Sequence, residues 1–239
     1  MHSRFPIAVS RVLLPLLFLL SLAASAQQPV RLRPRDYRRD VELVTTEGTI
    51  RLRLSDSTPL HRDNFLGLVK SGYFDSMLFH RVIKGFMIQG GDPASRRAVA
   101  GQKLGEGGPG YGIPAELRAT LFHRKGVLAA AREGDDINPL RYSSASQFYL
   151  VQGRTFTDRE MDSIEVARLQ GRRISPGRRA IYKTVGGTPQ LDGNYTVFGE
   201  VLEGLDVVDR IAESAVSQDP PNRPVTDVRI VKARLVRRR

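Results

Sequence analysis

The chain of 239 residues contains no cysteine, which excludes disulfides, thiolate catalysis, cysteine-ligated zinc and a lipid-bearing amino-terminal cysteine. Histidine is scarce too. His61, His80 and His123 are far apart and lack the i, i+4 or cysteine-paired spacing of metal sites, so no metal is expected. Ser143, Ser144 and Ser146 sit in no Gly-x-Ser-x-Gly elbow, and a serine nucleophile is not expected. The glycines between Pro93 and Pro114 are not followed by Gly-Lys-Ser/Thr, which removes a phosphate-cradling loop. Aromatic residues make up only 7 % of the chain and do not interleave with its arginine runs, unlike the stacking platforms of single-strand binders. No specific nucleic-acid partner is expected, and no cofactor.

Long apolar runs are missing as well. The longest, residues 12–22, is far short of the roughly 20 residues a membrane-spanning helix needs. It follows Arg4 and Arg11 and precedes Ala24-Ser25-Ala26, the pattern of a cleaved secretory signal over 1–26. The expectation is an exported protein of the periplasm or cell envelope, without stable membrane insertion after cleavage. Removing two arginines and no acid lowers the net charge from +12 to +10. Such a field favours anionic partners, although most of the arginines read as solvated charge.

What is present is one core's worth of apolar residues, 41 % of the chain. Residues 27–40 are rich in Pro and Arg with no apolar period and read as a flexible basic leader. Residues 41–45 and 50–54 alternate about Glu47-Gly48, a hairpin pattern. A helix is predicted from Thr58 or Pro59 to Gly72, with Phe65, Leu66 and Val69 inward. Further strands are predicted over 79–83, 86–89, 126–131, 147–151, 197–201 and 225–235, and a helix over 205–214. Between Pro93 and Pro114 a glycine-rich loop is expected, bordering a groove. Many short strands with two framework helices favour a closed antiparallel barrel over a doubly wound sheet.

The most informative run is residues 79–92, where Arg81 and Gln89 interrupt an apolar strand pattern. Arginine is charged at every relevant pH and carries five donors in a rigid fork, so among Phe, Val, Ile and Met it must serve a partner. Residues 146–150, Ser-Gln-Phe-Tyr-Leu, and 191–199, Leu-Asp-Gly-Asn-Tyr-Thr-Val-Phe-Gly, follow at further intervals. In order and spacing these three motifs resemble the cyclophilins, the peptidyl-prolyl cis-trans isomerases, and the resemblance runs from about residue 41 to 235.

The resemblance implies a mainly β fold, a closed eight-stranded antiparallel barrel capped by two helices, in one domain over 41–236. It implies Arg81 and Gln89 as catalytic residues, acting without a cofactor. Phe86, Met87, Tyr149 and Leu191 would line a proline pocket with Tyr195 at its rim, and Gln147 would help orient Arg81. The main chain of Ala130, Ala131 and Arg132 would meet an extended peptide. The implied partners are proline-containing peptides and unfolded exported proteins, met by a monomer. A proline-binding chaperone or scaffold with incidental catalysis is the alternative.

Four positions depart from the family pattern. Tyr149 stands where phenylalanine is usual, so its hydroxyl needs a partner. Gln190 stands where some members carry a tryptophan that helps to bind cyclosporin, while Arg132 and Tyr195 replace Asn and His. Residues 154–183 form a helical insertion. Thr157 to Glu160 spell a capping box and Ser175-Pro176 a second helix start.

Overall fold

The computed structural model describes residues 30–238; the signal segment expected over 1–26 lies outside them. Among the described residues twelve strands occur in chain order: β1 (Arg39–Thr45), β2 (Gly48–Leu54), β3 (Arg81–Ile83), β4 (Met87–Gly90), β5 (Gly112–Ile113), β6 (Val127–Ala130), β7 (Ser143–Ser144), β8 (Phe148–Val151), β9 (Val197–Glu203), β10 (Val216–Gln218), β11 (Pro221–Pro224) and β12 (Ile230–Arg237). The helices are α1 (Pro59–Lys70), α2 (Asp158–Ala167), α3 (Pro176–Thr184) and α4 (Leu205–Ala212). None among the described residues is long and apolar enough to cross a membrane.

Eight strands form one antiparallel sheet in the order β12-β1-β2-β9-β6-β8-β4-β3. The expected closed barrel is corrected here to a curled, open half-barrel. Its edge strands β3 and β12 share no ladder; the chain meets across the seam through the residues just before β3 and those at and just before the start of β12. There Leu78 bridges Arg229, and three backbone bonds cross the gap: Ser76 N–H to Ile230 O, Ile230 N–H to Met77 O and Phe79 N–H to Val228 O, at 2.7 to 2.9 Å. The strand predicted over 225–235 therefore begins only at Ile230.

Period-2 alternation decides which residues fill the inside of the curl. Val41 and Leu43 of β1, Ile50, Leu52 and Leu54 of β2, Ile88 of β4, Leu128 of β6 and Leu150 of β8 share one core with the helices. From α1 come Phe65, Leu66 and Val69, and from α4 Val207, Val208, Ile211 and Ala212. Phe65 meets Phe148 edge-to-face with centroids 5.4 Å apart. Pro59 opens α1 as predicted, yet Thr58 makes no side-chain cap. Leu60 N–H and His61 N–H donate instead to the Glu116 carboxylate.

The 27–40 stretch differs from a flexible leader in its described part. Asp36 is buried beside Lys70 at 2.6 Å, Asp40 is fully buried, and β1 starts at Arg39. Residues 154–183 do form two helices. The Thr157–Glu160 capping box opens α2, whereas Ser175 precedes α3 without a side-chain bond. Phe156, Met161, Leu169, Ile174 and Tyr182 give this pair a small core of its own.

Candidate active site

Strands β4, β6 and β8 are buried on both faces, and their second face builds the site. Register places Arg81 opposite Gln89, Gln89 opposite Tyr149, and Tyr149 opposite Ala129. This row crosses four strands on the side away from the main core. Met87, Val127, Ala129, Tyr149, Val151 and Val197 form an apolar layer there, with Phe86, Leu191 and Tyr195 packed against it. A cavity of about 350 Å³ opens on this layer. It brings together Arg81, Phe86, Met87, Gln89, Ala131, Arg132, Tyr149, Leu191 and Tyr195, nine of the eleven residues named from the sequence. Gln147 lines an adjoining groove of about 920 Å³ that also touches Gln89, Ala131 and Arg132. Gln190 does not line the cavity.

A chain of amides fixes Arg81. Gln147 Nε2 donates to the carbonyls of Gly105 and Gly107, both at 2.8 Å. Its Oε1 is thereby left to accept from Gln89 Nε2 at 3.0 Å, and Gln89 Oε1 accepts from Arg81 Nη1 at 3.1 Å. Each carboxamide can point only one way if every donor is to meet an acceptor. The glycine loop is therefore the anchor of the chain. Gly107 has to be glycine, since a Cβ there would fall 2.1 Å from Asp92 Oδ1.

Arg81 is exposed and meets no carboxylate within ion-pair distance among the described residues. Desolvation by the pocket walls lowers its pKa, opposed by Tyr195; a guanidinium remains charged regardless. His80, its neighbour, is buried, and that burial pulls its pKa down to about 4, so it is neutral at pH 7. Neither ring nitrogen has a hydrogen-bond partner. His80 also lines the cavity, with Leu104 and Gly105, although strand alternation from Arg81 predicts the opposite side. β3 begins only at Arg81, so the alternation does not extend back to His80.

The Tyr149 hydroxyl is satisfied away from the cavity. It lies 3.0 Å from His123 Nε2, while His123 Nδ1 lies 3.1 Å from Asp192 Oδ1 and Tyr182 donates to Asp192 Oδ2 at 2.8 Å. With the carboxylate accepting from Nδ1–H, Nε2 is the acceptor and Tyr149 O–H the donor. Burial, reinforced by Tyr195 and Asp192, raises the Tyr149 pKa far above the ordinary phenol. The sequence reading left His123 out of the site. Its only signal was the demand of the Tyr149 hydroxyl for a partner.

Arg132 and Ala131 both line the cavity, and their polar groups are partly taken up by the fold. The Arg132 guanidinium lies over the Tyr195 ring at 4.6 Å, donates to Asn194 O at 2.8 Å, and pairs with Asp135 at 2.7 Å. Ala130 N–H donates to Thr196 O and Ala131 N–H to Gln147 O. Those two donors belong to the fold and are not open to a peptide. Among the described residues no three His, Asp or Glu side chains converge as metal ligands would.

The antiparallel half-barrel thus carries a guanidinium beside a cavity floored by apolar side chains. Residues 40–235 match the family described as Cyclophilin type peptidyl-prolyl cis-trans isomerase/CLD. Peptidyl-prolyl cis-trans isomerase-like 1 of Neurospora crassa is 36 % identical over 203 residues, covering 83 % of this chain and 94 % of that one. A peptidyl-prolyl cis-trans isomerase of Arabidopsis thaliana is 31 % identical over 195 residues, covering 80 % and 91 %. The fold is shared with a crystal structure of a cyclophilin type isomerase from Cryptosporidium parvum, with TM-score 0.61, 23 % identity, and coverage of 84 % and 99 %. The chain belongs to the cyclophilin-type family and is a peptidyl-prolyl cis-trans isomerase.

Proposed function

We propose that the protein accelerates X-Pro rotation by placing the Arg81 guanidinium against the prolyl nitrogen. Rotation crosses a barrier of roughly 18 to 20 kcal/mol because the amide loses its partial double bond. The twisted nitrogen becomes pyramidal and gains a lone pair that the planar amide lacks. A donor aimed there binds the transition state better than the substrate, the condition for catalysis. One preorganised donor is worth roughly 3 to 4 kcal/mol. The observation that carries this reading is the Arg81 charge, held at the cavity mouth by the neutral Gln89 alone. Gln89 and Gln147 act as positioning residues, and Phe86, Met87, Tyr149, Leu191 and Tyr195 grip the proline ring. No bond is broken and no proton is transferred.

The substrates on this reading are proline-containing peptides. The Cryptosporidium parvum relative has also been crystallised in the presence of the dipeptide Ala-Pro. The motif over 1–26 supports export, and with it a role for the monomer in folding exported proteins, whose X-Pro bonds otherwise isomerise over tens to hundreds of seconds. The helical pair over 154–183 is read as an insertion into the family's minimal pattern.

Phe86→Ala tests the grip: exchange NMR on an Ala-Pro peptide should show binding weaker by about tenfold, the scale of one partly buried ring. Unchanged affinity would move the proline out of this cavity. Amino-terminal sequencing of the envelope fraction tests export and should begin at Gln27; chains beginning at Met1 in the membrane pellet would oppose it.

A further inference from the structure

Beyond Tyr195 lies a second concavity of about 230 Å³ between the helical pair and the start of β9. Tyr195 walls both spaces. Four guanidiniums line the second one: Arg118, Arg172, Arg173 and Arg178. Most of their hydrogen bonds go to neutral acceptors. Arg172 donates to Leu169 O at 3.2 Å and to Asn194 Oδ1 at 3.0 Å, and no carboxylate among the described residues lies within ion-pair distance of it. Arg118 donates to Ser57 O at 2.7 Å, and Arg178 donates to Ala119 O.

The acids near this space are committed elsewhere. Asp192 accepts from the His123 main chain and ring and from Tyr182, leaving Arg178 at 3.5 Å. Glu116 is held by His61 and stands 3.9 Å from Arg118. Glu165 pairs with Arg173 but also takes Arg179 and the Ile174 N–H. Arg172 thus keeps a charge that no carboxylate within ion-pair distance balances, and Arg118 and Arg178 meet theirs only at 3.9 and 3.5 Å. Gly193 leaves room for the Arg172 guanidinium, since a Cβ there would fall 2.1 Å from its Nη1.

We propose that this concavity is a carboxylate subsite, receiving an Asp or Glu side chain of the peptide whose proline occupies the Arg81 cavity. The inference rests on the proline reading of that cavity and names a substrate class for it. A planar carboxylate matches the guanidinium fork, and the single shared wall keeps the acid within a few residues of the proline.

The test is exchange NMR on the full chain with Ala-Pro peptides carrying Glu at each position up to four residues before or after the proline, each paired with its Gln counterpart, at low and high salt. Glu at one or two positions should improve affinity about five- to tenfold at low salt, and high salt should erase most of the gain. Arg172→Gln and Arg118→Gln should each reduce that gain while handling the Gln peptides as wild type does. Equal treatment of Glu and Gln peptides at every position would overturn the subsite. So would a gain that persists in both variants, and so would a gain equal at all positions, which the general basic field alone explains. Failure of the proline reading looks different: the Gln peptides themselves would then not be accelerated.

Discussion

Arg51 and Arg81 place the same side chain on the same sheet, and the fold treats them in opposite ways. Arg51 is 5 % exposed, its Nε lies 3.1 Å from Asp40 Oδ2, and Asp40 also receives Arg53 at 3.0 Å. Arg81 is exposed and leans on one carboxamide. A cation balanced by a buried carboxylate holds the molecule together and has little left to offer a ligand. A cation positioned by neutral groups keeps its Coulomb attraction for whatever enters the site. In this chain the partner, more than the residue type, separates architecture from chemistry.

Removing Asp40 should have the largest effect on the framework side. Asp40→Asn leaves buried Arg51 with only the half-exposed Glu203 at 3.7 Å as counterion, and denaturant unfolding should show a loss of about 3 kcal/mol, with isomerase rate per folded molecule retained. A loss below about 1 kcal/mol would mean that Arg51 is not held by charge, and the contrast with Arg81 would lapse.

Acid should act next, through His80. Its folded pKa of about 4 lies below the unfolded value of about 6.5, so the unfolded chain takes up the proton first. The neutral histidine's contribution is complete above about pH 6.5, falls as pH drops, and is gone near pH 4, a change of up to about 3 kcal/mol. Unfolding free energies measured across that window should slope less steeply in His80→Gln. Parallel slopes would place the acid sensitivity elsewhere.

Gln89→Leu sharpens the comparison from the other side, since it removes the neutral partner and keeps the cation. The rate should fall about tenfold through lost positioning, while peptide affinity measured by titration changes little. Smallest is Tyr149→Phe. The ring stays, His123 Nε2 loses its donor, and thermal unfolding should register about 1 kcal/mol with the isomerase rate kept.

Part of the candidate site was legible in the sequence, because strand residues that break an apolar pattern mark themselves. Arg81 and Gln89 do so, and the cross-strand register brings them side by side; Gln147 and the pocket residues were legible only through the family resemblance. The helices were legible through Pro59 and through the Thr157–Glu160 capping box. Closure of the barrel was not, because it depends on whether two edges far apart in the chain meet in register, and here only the flanking segments do. Nor was the partner of the Tyr149 hydroxyl, which comes from His123 on one element and, behind it, Asp192 and Tyr182 from others. Alternation also misplaced His80, because the strand stops one residue short of it.

The central claim is that the unbalanced charge of Arg81 acts in the transition state. Exchange NMR on an Ala-Pro peptide, with wild type and Arg81→Ala at matched folded concentration, measures it directly. The account predicts an isomerisation rate lower by about a hundredfold or more with ground-state peptide affinity within about threefold of wild type. An unchanged exchange rate in Arg81→Ala would contradict it.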